Sequence, residues 1–219
     1  MPLFQTIIVL PEWVTAQEPA HWLTDQEMTA YHAWGSPKRR SEWLAGRLAA
    51  KRLVGNVFGL GPRTFAIGRE GVAPCILSHE VPPLTLSLSH SHGLGAATLS
   101  DGLREGSAGV DVQRIRPVHP GLGARVFTAG ERGQIAARFG AEDDLAGMLL
   151  FWALKEAAIK ARRAAWGCPL REIEARLTGE GRAVVEMPGE PPLAADFERV
   201  EGWWLARAVL PTGSWSGQE

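Results

Sequence analysis

One long helical pattern, from about residue 143 to residue 165, constrains this chain more than any other stretch. It contains no proline and is rich in alanine and leucine, residues that favour a helix over its whole length. Apolar residues recur in it at helical spacing, which predicts one buried face. That face comprises Leu150, Leu154, Ala157 and Ala161.

A second stripe on the same predicted helix carries charge. Trp152, Glu156 and Lys160 lie four residues apart, so their side chains project from one side. A carboxylate aligned with an ammonium on a helix that is otherwise buried indicates a functional site. For this helix taken alone, however, a solvent-exposed Glu–Lys pair is the favoured interpretation.

A second long helix is predicted from about Lys38 to Phe58, and it repeats the spacing of the first. Trp43, Arg47 and Lys51 lie four residues apart, as Trp152, Glu156 and Lys160 do. A shorter helix is predicted before each long one, and it opens with a similar segment, Leu23–Glu27 in the first half and Phe127–Glu131 in the second. Strand patterns follow in both halves. Chance is the alternative to duplication, because few positions match and the chain has 9 tryptophans.

These echoes predict an α+β fold, a pseudo-dimer of two similar halves. Each half would pack a small, mainly antiparallel sheet against one long helix. We place the N-terminal half at residues 1–105 and the C-terminal half at residues 106–219, with a linker at about Asp101–Ser107.

Oxygen ligands for a metal ion are candidates on one predicted strand and on the long helix. Alternation along Gly109–Gln113 puts Asp111 and Gln113 on the same side of the strand. Together with Glu156 they could form a site for Mg²⁺, which prefers oxygen ligands. An aspartate on an apolar strand is costly unless it is paired or bound to metal. The alternative is that Asp111 faces solvent at a strand end.

Several basic side chains could neutralise a polyphosphate: Arg39, Arg47, Lys51, Arg69, His90 and Lys160. Ser89 and His90, which are predicted to close a strand, would suit an oxyanion, although a turn-stabilising serine is the commoner case. Basic residues at the start of a helix oppose its dipole, and a bound phosphate would relieve that conflict. A solvated helix start is the alternative for at least two of residues 38–40.

The composition excludes several classes of protein. A net charge of −1 excludes a general attraction to nucleic acid or to a membrane surface. Two cysteines are too few for a disulfide framework, and no stretch of about 18 apolar residues could span a bilayer. Since Pro11 interrupts the first apolar run, we interpret Leu3–Val9 as a strand and not a signal peptide. We expect a cytoplasmic monomer that binds neither nucleic acid nor membrane.

Several catalytic classes lack their motifs in this sequence. It contains no GxxxxGK[ST] loop, no GxGxxG after a strand and no GxSxG turn. The histidines lack the HExxH spacing, and cysteine and histidine are not spaced as zinc ligands.

Four motifs in order resemble the Sfp-type 4′-phosphopantetheinyl transferases, with a long first half similar to the enterobactin-type branch. The motifs span roughly Lys38 to Lys160 and comprise Trp43–Lys51, Ser87–Ser91, Gly109–Gln113 and Phe151–Lys160. The resemblance implies an enzyme of the holo-[acyl-carrier-protein] synthase type. Such an enzyme moves the 4′-phosphopantetheine of coenzyme A onto a serine of an acyl or peptidyl carrier protein and releases 3′,5′-ADP. It also implies coenzyme A and Mg²⁺ in a cleft between two similar halves.

The resemblance also implies a role for each site residue. Asp111 matches the first metal carboxylate of the family and Glu156 the later one, which would also take the proton of the carrier serine. Lys160 matches a lysine that contacts the phosphate. The positions that hold the nucleotide phosphates in the family correspond to Arg47, Ser89 and His90.

Two departures from the family pattern bear on the affinity for the metal ion and for coenzyme A. The family often has an acidic residue where this chain has Gln113. Its Gly-Lys-Pro-like loop corresponds to Gly68–Pro74, so Arg69 would have to supply that cation.

Two other functions remain open from the sequence. One is a non-catalytic module that binds coenzyme A or a carrier protein, and the other is a different Mg²⁺-dependent nucleotide transferase or hydrolase. The sequence leaves open which carrier is served, whether acyl-coenzyme A is accepted and whether Gln113 binds metal directly. It also leaves open which of Lys38, Arg39 and Arg40 contacts phosphate.

Overall fold

The chain divides into two units, Met1–Ala108 and Gly109–Glu219, in a computed structural model that describes residues 5–101, 106–119, 121–163 and 168–210. Each unit combines helices with antiparallel strands, so the predicted α+β class is confirmed. Within the described ranges, none of the helices has the length and apolar character needed to cross a membrane. The predicted linker lies mostly outside the described residues, as do residues 3 and 4 of the first predicted strand.

The first unit packs one long helix on a three-stranded sheet. Its strands are β1 (Gln5–Val9), β2 (Ala66–Glu70), β3 (Ala73–Leu77), β4 (Thr85–Ser91) and β5 (Leu94–Ser100). Its helices are α1 (Pro11–Thr15), α2 (Pro19–Trp22), α3 (Asp25–Ala33) and α4 (Pro37–Phe58). The sheet has the order β1-β5-β4, β2 and β3 form a separate hairpin, and α4 lies on the sheet.

The second unit packs its long helix on a five-stranded sheet. Its helices are α5 (Leu122–Val126), α6 (Ala129–Phe139) and α7 (Asp144–Ala161), and a short 3₁₀ turn covers Leu170–Glu172. Its strands are β6 (Ser107–Arg114), which begins just before the boundary, β7 (Glu174–Gly179), β8 (Arg182–Glu186), β9 (Leu193–Val200) and β10 (Trp203–Leu210). The strand order is β6-β10-β9-β8-β7, and α7 lies across these strands.

The long helix α7 is buried on more than the one predicted face. The face marked by Leu150 and Leu154 is buried as predicted. Glu156, however, is only 8% exposed, so the interpretation of a solvent-exposed Glu–Lys pair is wrong. The helix also ends at Ala161, earlier than predicted, because the chain turns at Arg163 with a φ of +50°. Residues 164 and 165 lie outside the described residues.

Two hairpin turns come later than the sequence suggested, which moves three candidate site residues onto strands. The first turn begins at Gly71 with a φ of +58°, so Arg69 lies on β2 and not in a loop. The second turn is formed by His92 (φ 49°) and Gly93 (φ 87°), a pair of positive values that the tight I′ hairpin turn requires. Ser89 and His90 therefore lie within β4 and do not follow it.

Four elements were not predicted: α1, α2, α5 and β9. The three helices are each only four or five residues long, too short for a helical periodicity to show. The strand β9 follows Pro191 and Pro192 and contains Ala194, Asp196 and Glu198, which are weak strand formers. Its place between β8 and β10 stabilises it through hydrogen bonds from both neighbours, which outweighs local preference.

Each unit contains a buried lysine paired with a glutamate at the start of the preceding helix. Lys51 Nζ lies 2.7 Å from Glu27 Oε2, and Lys155 Nζ lies 2.6 Å from Glu131 Oε2. Both lysine side chains are 0% exposed. Burial lowers the pKa of Lys155, and the paired carboxylate opposes that shift.

The polar atoms of both pairs are satisfied in the same way. Each glutamate belongs to a capping box with the threonine three residues before it and also accepts from a strand N–H, that of Ile67 or of Ala175. Each lysine also donates to two backbone carbonyls, those of Pro62 and Phe65 for Lys51 and those of Val126 and Leu170 for Lys155. Buried charges persist only with such compensation.

The shared environment makes Lys51 the structural counterpart of Lys155. The register predicted from the tryptophan stripes matched Lys51 with Lys160 and is therefore wrong by five residues. The two similar units are better aligned by their capping boxes, Thr24–Glu27 and Thr128–Glu131.

Lys155→Met should destabilise the protein by about 3–5 kcal/mol, because it leaves the Glu131 carboxylate buried without its partner. Urea unfolding of the variant and the wild type measures this difference. Adding Glu131→Gln to the same variant should restore part of the loss, since a neutral amide costs less to bury than a charge.

The control is Arg176→Met, which breaks an ion pair with Glu186 whose side chains are 60% and 46% exposed. Such a pair contributes only about 0–1 kcal/mol. A Lys155→Met variant as stable as this control would contradict the importance of the buried pair.

Candidate functional site

The strand β6 passes so close to α7 that residue 109 has to be glycine. A Cβ atom on Gly109 would lie 2.0 Å from the carbonyl oxygen of Ala157 and 2.3 Å from the nitrogen of Ala161. No side chain fits at such a distance. Residue 111, two positions along the strand, consequently lies against the C-terminal half of α7.

Asp111 is the centre of a small polar cluster on β6. Its Oδ1 lies 2.6 Å from Lys160 Nζ, which also donates to the Val110 carbonyl at 3.1 Å. Its Oδ2 accepts a hydrogen bond of 2.8 Å from Gln113 Nε2. Strand alternation thus places Asp111 and Gln113 on one side, as predicted. The ion-pair partner of Lys160 is Asp111 and not Glu156.

Glu156 is the second carboxylate of this cluster. Its pKa is raised to about 7, chiefly by burial and also by the negative charge of Asp111, while Lys160 opposes both effects. Among the described residues, its carboxylate makes no hydrogen bond and no ion pair. A buried carboxylate beside another carboxylate is well suited to accept a proton or a cation.

The donor set of this cluster fits a hard cation. Asp111 and Glu156 offer carboxylate oxygens and Gln113 an amide oxygen, the ligand types that Mg²⁺ takes together with water. A cation between the two carboxylates would also remove the repulsion that raises the pKa of Glu156. In the described part of the chain, no group of three or more His, Cys, Asp and Glu side chains could hold a metal ion. The remaining ligands would therefore be Gln113 or water.

The first unit brings three of the predicted phosphate-binding residues together. The Arg47 guanidinium lies 4.9 Å above the Trp43 ring. Burial lowers the pKa of Arg47, Glu27 raises it and the nearby charge of Arg69 lowers it further. The His90 ring lies against α4 at Gly46, where an added Cβ would be 3.5 Å from its Cδ2. Arg47 and Arg69 thus form a cationic group around α4, and the His90 ring lies against the same helix.

Ser89 and Arg39 have different surroundings. Ser89 is buried on β4, next to His90 in the chain. Arg39 is exposed in the first turn of α4, and eight residues of helix place it about 12 Å along the axis from Arg47. The structure therefore does not bring Arg39 to the cationic group. Of residues 38–40, it is Arg40 that is engaged, donating to the Trp34 carbonyl at 2.9 Å.

Sequence reasoning assigned no role to Lys155 or Glu131. Lys155 immediately precedes Glu156 of the polar cluster, and Glu131 is its buried partner. The signal that could have found them is the repeated capping box, a threonine three residues before a glutamate in each half.

A cavity of about 320 Å³ lies elsewhere in the second unit, among α5, α6 and α7. Its lining is mainly apolar and includes Phe127, Ile135 and Met148. It contains no member of the polar cluster, and we assign no chemistry to it.

One protein-family model matches most of the second unit. Residues 107–208 match the model of the 4′-phosphopantetheinyl transferase superfamily. The matched range contains all four members of the polar cluster, Asp111, Gln113, Glu156 and Lys160. The resemblance noted from the sequence motifs is confirmed.

Named relatives extend the match to most of the chain. A 4′-phosphopantetheinyl transferase of Streptomyces mobaraensis is 27% identical over 211 residues, which are 90% of this chain and 83% of that relative. A 4′-phosphopantetheinyl transferase of Bacillus pumilus is 24% identical over 145 residues, which cover 66% of this chain but only 60% of that relative.

Among solved structures, one similar fold is a holo-(acyl-carrier-protein) synthase of Bacillus anthracis in complex with CoA (3′,5′-ADP). It has 20% sequence identity and a TM-score of 0.42, and the match covers 50% of this chain and 98% of that one.

Glu156→Gln should stabilise the protein increasingly as the pH rises. The pKa of Glu156 is about 7 in the folded protein, against a usual 4.5. Below pH 4.5 the wild type therefore has the full stabilising contribution of the neutral carboxyl. It loses that contribution as the pH rises through about 7. The amide stays neutral, so its advantage should grow between about pH 5 and pH 8 to on the order of 1–3 kcal/mol.

Denaturant unfolding in EDTA at both pH values measures this gain. Glu142→Gln, which changes an exposed glutamate of the same unit, serves as the control. A stability difference between Glu156→Gln and wild type that does not vary with pH would contradict the shift.

Proposed function

We propose that this chain is a carrier-protein-activating enzyme, because residues 107–208 match the 4′-phosphopantetheinyl transferase superfamily. It transfers 4′-phosphopantetheine from coenzyme A to a serine of an acyl or peptidyl carrier protein and releases 3′,5′-ADP. The observation that carries the proposal is the pair of buried carboxylates, Asp111 and Glu156, held beside Lys160 in the family-matched part of the chain.

The reaction is a phosphoryl transfer, in which the protein positions the reactants and neutralises charge. The carrier serine oxygen bonds to the phosphorus next to the pantetheine, the bond from that phosphorus to the bridging oxygen breaks, and 3′,5′-ADP leaves. Glu156 accepts the proton of the serine hydroxyl. Without a cation its pKa is raised to about 7, chiefly by burial, and a cation bound beside it would lower that pKa again.

Lys160 contacts the phosphate that is being transferred. Its side chain is 25% exposed and carries its charge into the carboxylate cluster, where the reacting phosphate would lie. The remote phosphates of coenzyme A are bound by Arg47, Arg69, Ser89 and His90, and the cationic group around α4 supports this assignment. Arg39 is the weakest member of the predicted set, because it lies apart from that group.

Asp111 and Glu156 would hold Mg²⁺, with Gln113 as a further ligand directly or through water. Bound there, Mg²⁺ would supply positive charge for the pyrophosphate oxygens. Gln113 contributes no charge, and its amide hydrogen bond orients the Asp111 carboxylate.

A mass-spectrometric assay separates this proposal from its two alternatives. Apo-carrier proteins of fatty-acid, polyketide and nonribosomal type are incubated with enzyme, coenzyme A and Mg²⁺, with acyl-coenzyme A as a second donor. A carrier heavier by one phosphopantetheine establishes transfer and shows which carrier is served. A binding module would leave every carrier unchanged, and a nucleotide hydrolase would release 3′,5′-ADP without a carrier.

That the protein is a cytoplasmic monomer, and that it acts without nucleic acid or membrane, remain predictions from the sequence.

Asp111→Asn should abolish nearly all transfer and leave a cooperative thermal melt. The amide has almost the same shape as the carboxylate but removes the charge that would hold the cation. Holo-carrier formation at saturating Mg²⁺, together with the melt, measures both effects. Transfer at the wild-type rate would remove Asp111 from the metal site.

Arg47→Ala and Lys160→Met should affect different kinetic constants. Arg47 contacts a remote part of coenzyme A on this proposal, so its loss should raise the KM for coenzyme A by about 10- to 100-fold with little change in kcat. Lys160 contacts the reacting phosphate, so its loss should lower kcat by about 100-fold or more.

Arg39→Ala is the matched control on the same helix, and it should change KM less than Arg47→Ala does. Steady-state kinetics with coenzyme A as the varied substrate measures all three variants. An unchanged KM in Arg47→Ala would show that α4 does not bind coenzyme A.

A further inference from the structure

The Asp111–Lys160 ion pair joins the proposed metal ligand to the proposed phosphate contact. The Lys160 ammonium lies 2.6 Å from Asp111 Oδ1 and 3.1 Å from the Val110 carbonyl oxygen. An ammonium has three N–H donors. Two of them are used by these acceptors within the described residues, so the third can bind another partner. The side chain is also 25% exposed, in contrast to 4% for Asp111.

The two lysines of α7 differ in their freedom to move. Lys155 is 0% exposed and bonds to Glu131 and to two backbone carbonyls, so its ammonium is fixed in place. Lys160 is held by one carboxylate and one carbonyl and reaches the surface. Its four-carbon stem can carry the charge from one anion to another nearby without a change in the backbone.

An ammonium and a divalent cation compete for the same carboxylate. A cation that binds Asp111 must share Oδ1 with Lys160 or displace it, and two positive charges at such a distance repel each other. Lys160 therefore lowers the affinity of the cluster for a cation as long as it pairs with Asp111.

We propose that Lys160 is a switching counter-ion that couples cation binding to phosphate binding. The ammonium neutralises Asp111 until the phosphates of coenzyme A attract it away, and Mg²⁺ can then take the place of Lys160 at Asp111 Oδ1. This inference rests on the proposed function, since it takes coenzyme A as the source of the phosphates. By linkage the effect is reciprocal, so Mg²⁺ also strengthens the binding of coenzyme A.

The coupling predicts an effect that a simple phosphate-binding lysine would not produce. Without coenzyme A, Lys160→Met should bind Mg²⁺ more tightly than the wild type, by at least about fivefold. With coenzyme A, the wild type should gain affinity for Mg²⁺, and Lys160→Met should gain clearly less. Lys160→Arg keeps the charge and should stay close to the wild type without coenzyme A.

Isothermal titration with MgCl₂, in the absence and presence of saturating coenzyme A and without carrier protein, measures these affinities. Arg176→Met is the matched control, because it removes one positive charge from β7, four strands from β6 in the same sheet. At about 4.8 Å per strand, the distance exceeds the screening length at physiological salt. Lys160→Gln is a second neutral variant, used if Lys160→Met does not give a cooperative melt.

Tighter Mg²⁺ binding by the neutral variant, with reduced gain from coenzyme A, supports the proposal. Equal or weaker Mg²⁺ binding by that variant overturns it, as does a wild type that binds no Mg²⁺ with or without coenzyme A. The proposed function fails on a different result, the absence of holo-carrier in the mass-spectrometric assay of the wild type. Transfer by the wild type with unchanged Mg²⁺ affinity in the variant would reject the coupling alone.

Discussion

The ion pair between Lys155 and Glu131 is the interaction on which the geometry of the second unit depends. The Lys155 ammonium has no contact with solvent and donates to carbonyls at the end of α5 and before β7. Rotating α7 about its axis would move this charge into apolar surroundings, so the rotation of the helix is fixed. Glu156, the next residue, then projects about 100° further round the helix. It does so towards the charge of Asp111.

A buried ion pair is a weak source of net stability, because desolvating two charges offsets most of their attraction. The value of these pairs therefore lies in specifying one arrangement of helix and loops. The first unit supports this interpretation, because Glu27 and Lys51 repeat the same bonds to a capping threonine, a strand N–H and two carbonyls. The same contacts recur in two units of different sequence, which indicates that they organise the fold of each unit.

The sequence predicts those parts of the site that depend on local periodicity. Alternation along one strand was enough to place Asp111 beside Gln113, because both lie on the same element. The partner of Lys160 could not be predicted in this way, since Asp111 is 49 residues distant in the chain. Helical spacing offered Glu156 as the nearest carboxylate, and tertiary packing supplied a different one.

The same limit applies to the turns and to the sheet. The run from Ser89 to Gly93 contains several residues that favour turns, and only the positive φ values of His92 and Gly93 decide where the strand ends. The strand β9 has poor local preference and exists because both of its neighbours pair with it. Local patterns thus fix which face of a strand is buried more reliably than they fix where the strand ends.

Alignment of the units by their buried lysines also explains why their chemistry differs. With Lys51 opposite Lys155, the counterpart of Glu156 is Arg52, which lies 4.8 Å above the Trp13 ring. The counterpart of Lys160 by the same register is Asn56, an exposed residue near the end of α4. The first unit therefore has a cation where the second has the Glu156 carboxylate, so the carboxylate cluster has no counterpart at that position of α4. The two helices share the buried lysine that orients them and diverge at the adjacent position, where one offers a carboxylate and the other a guanidinium.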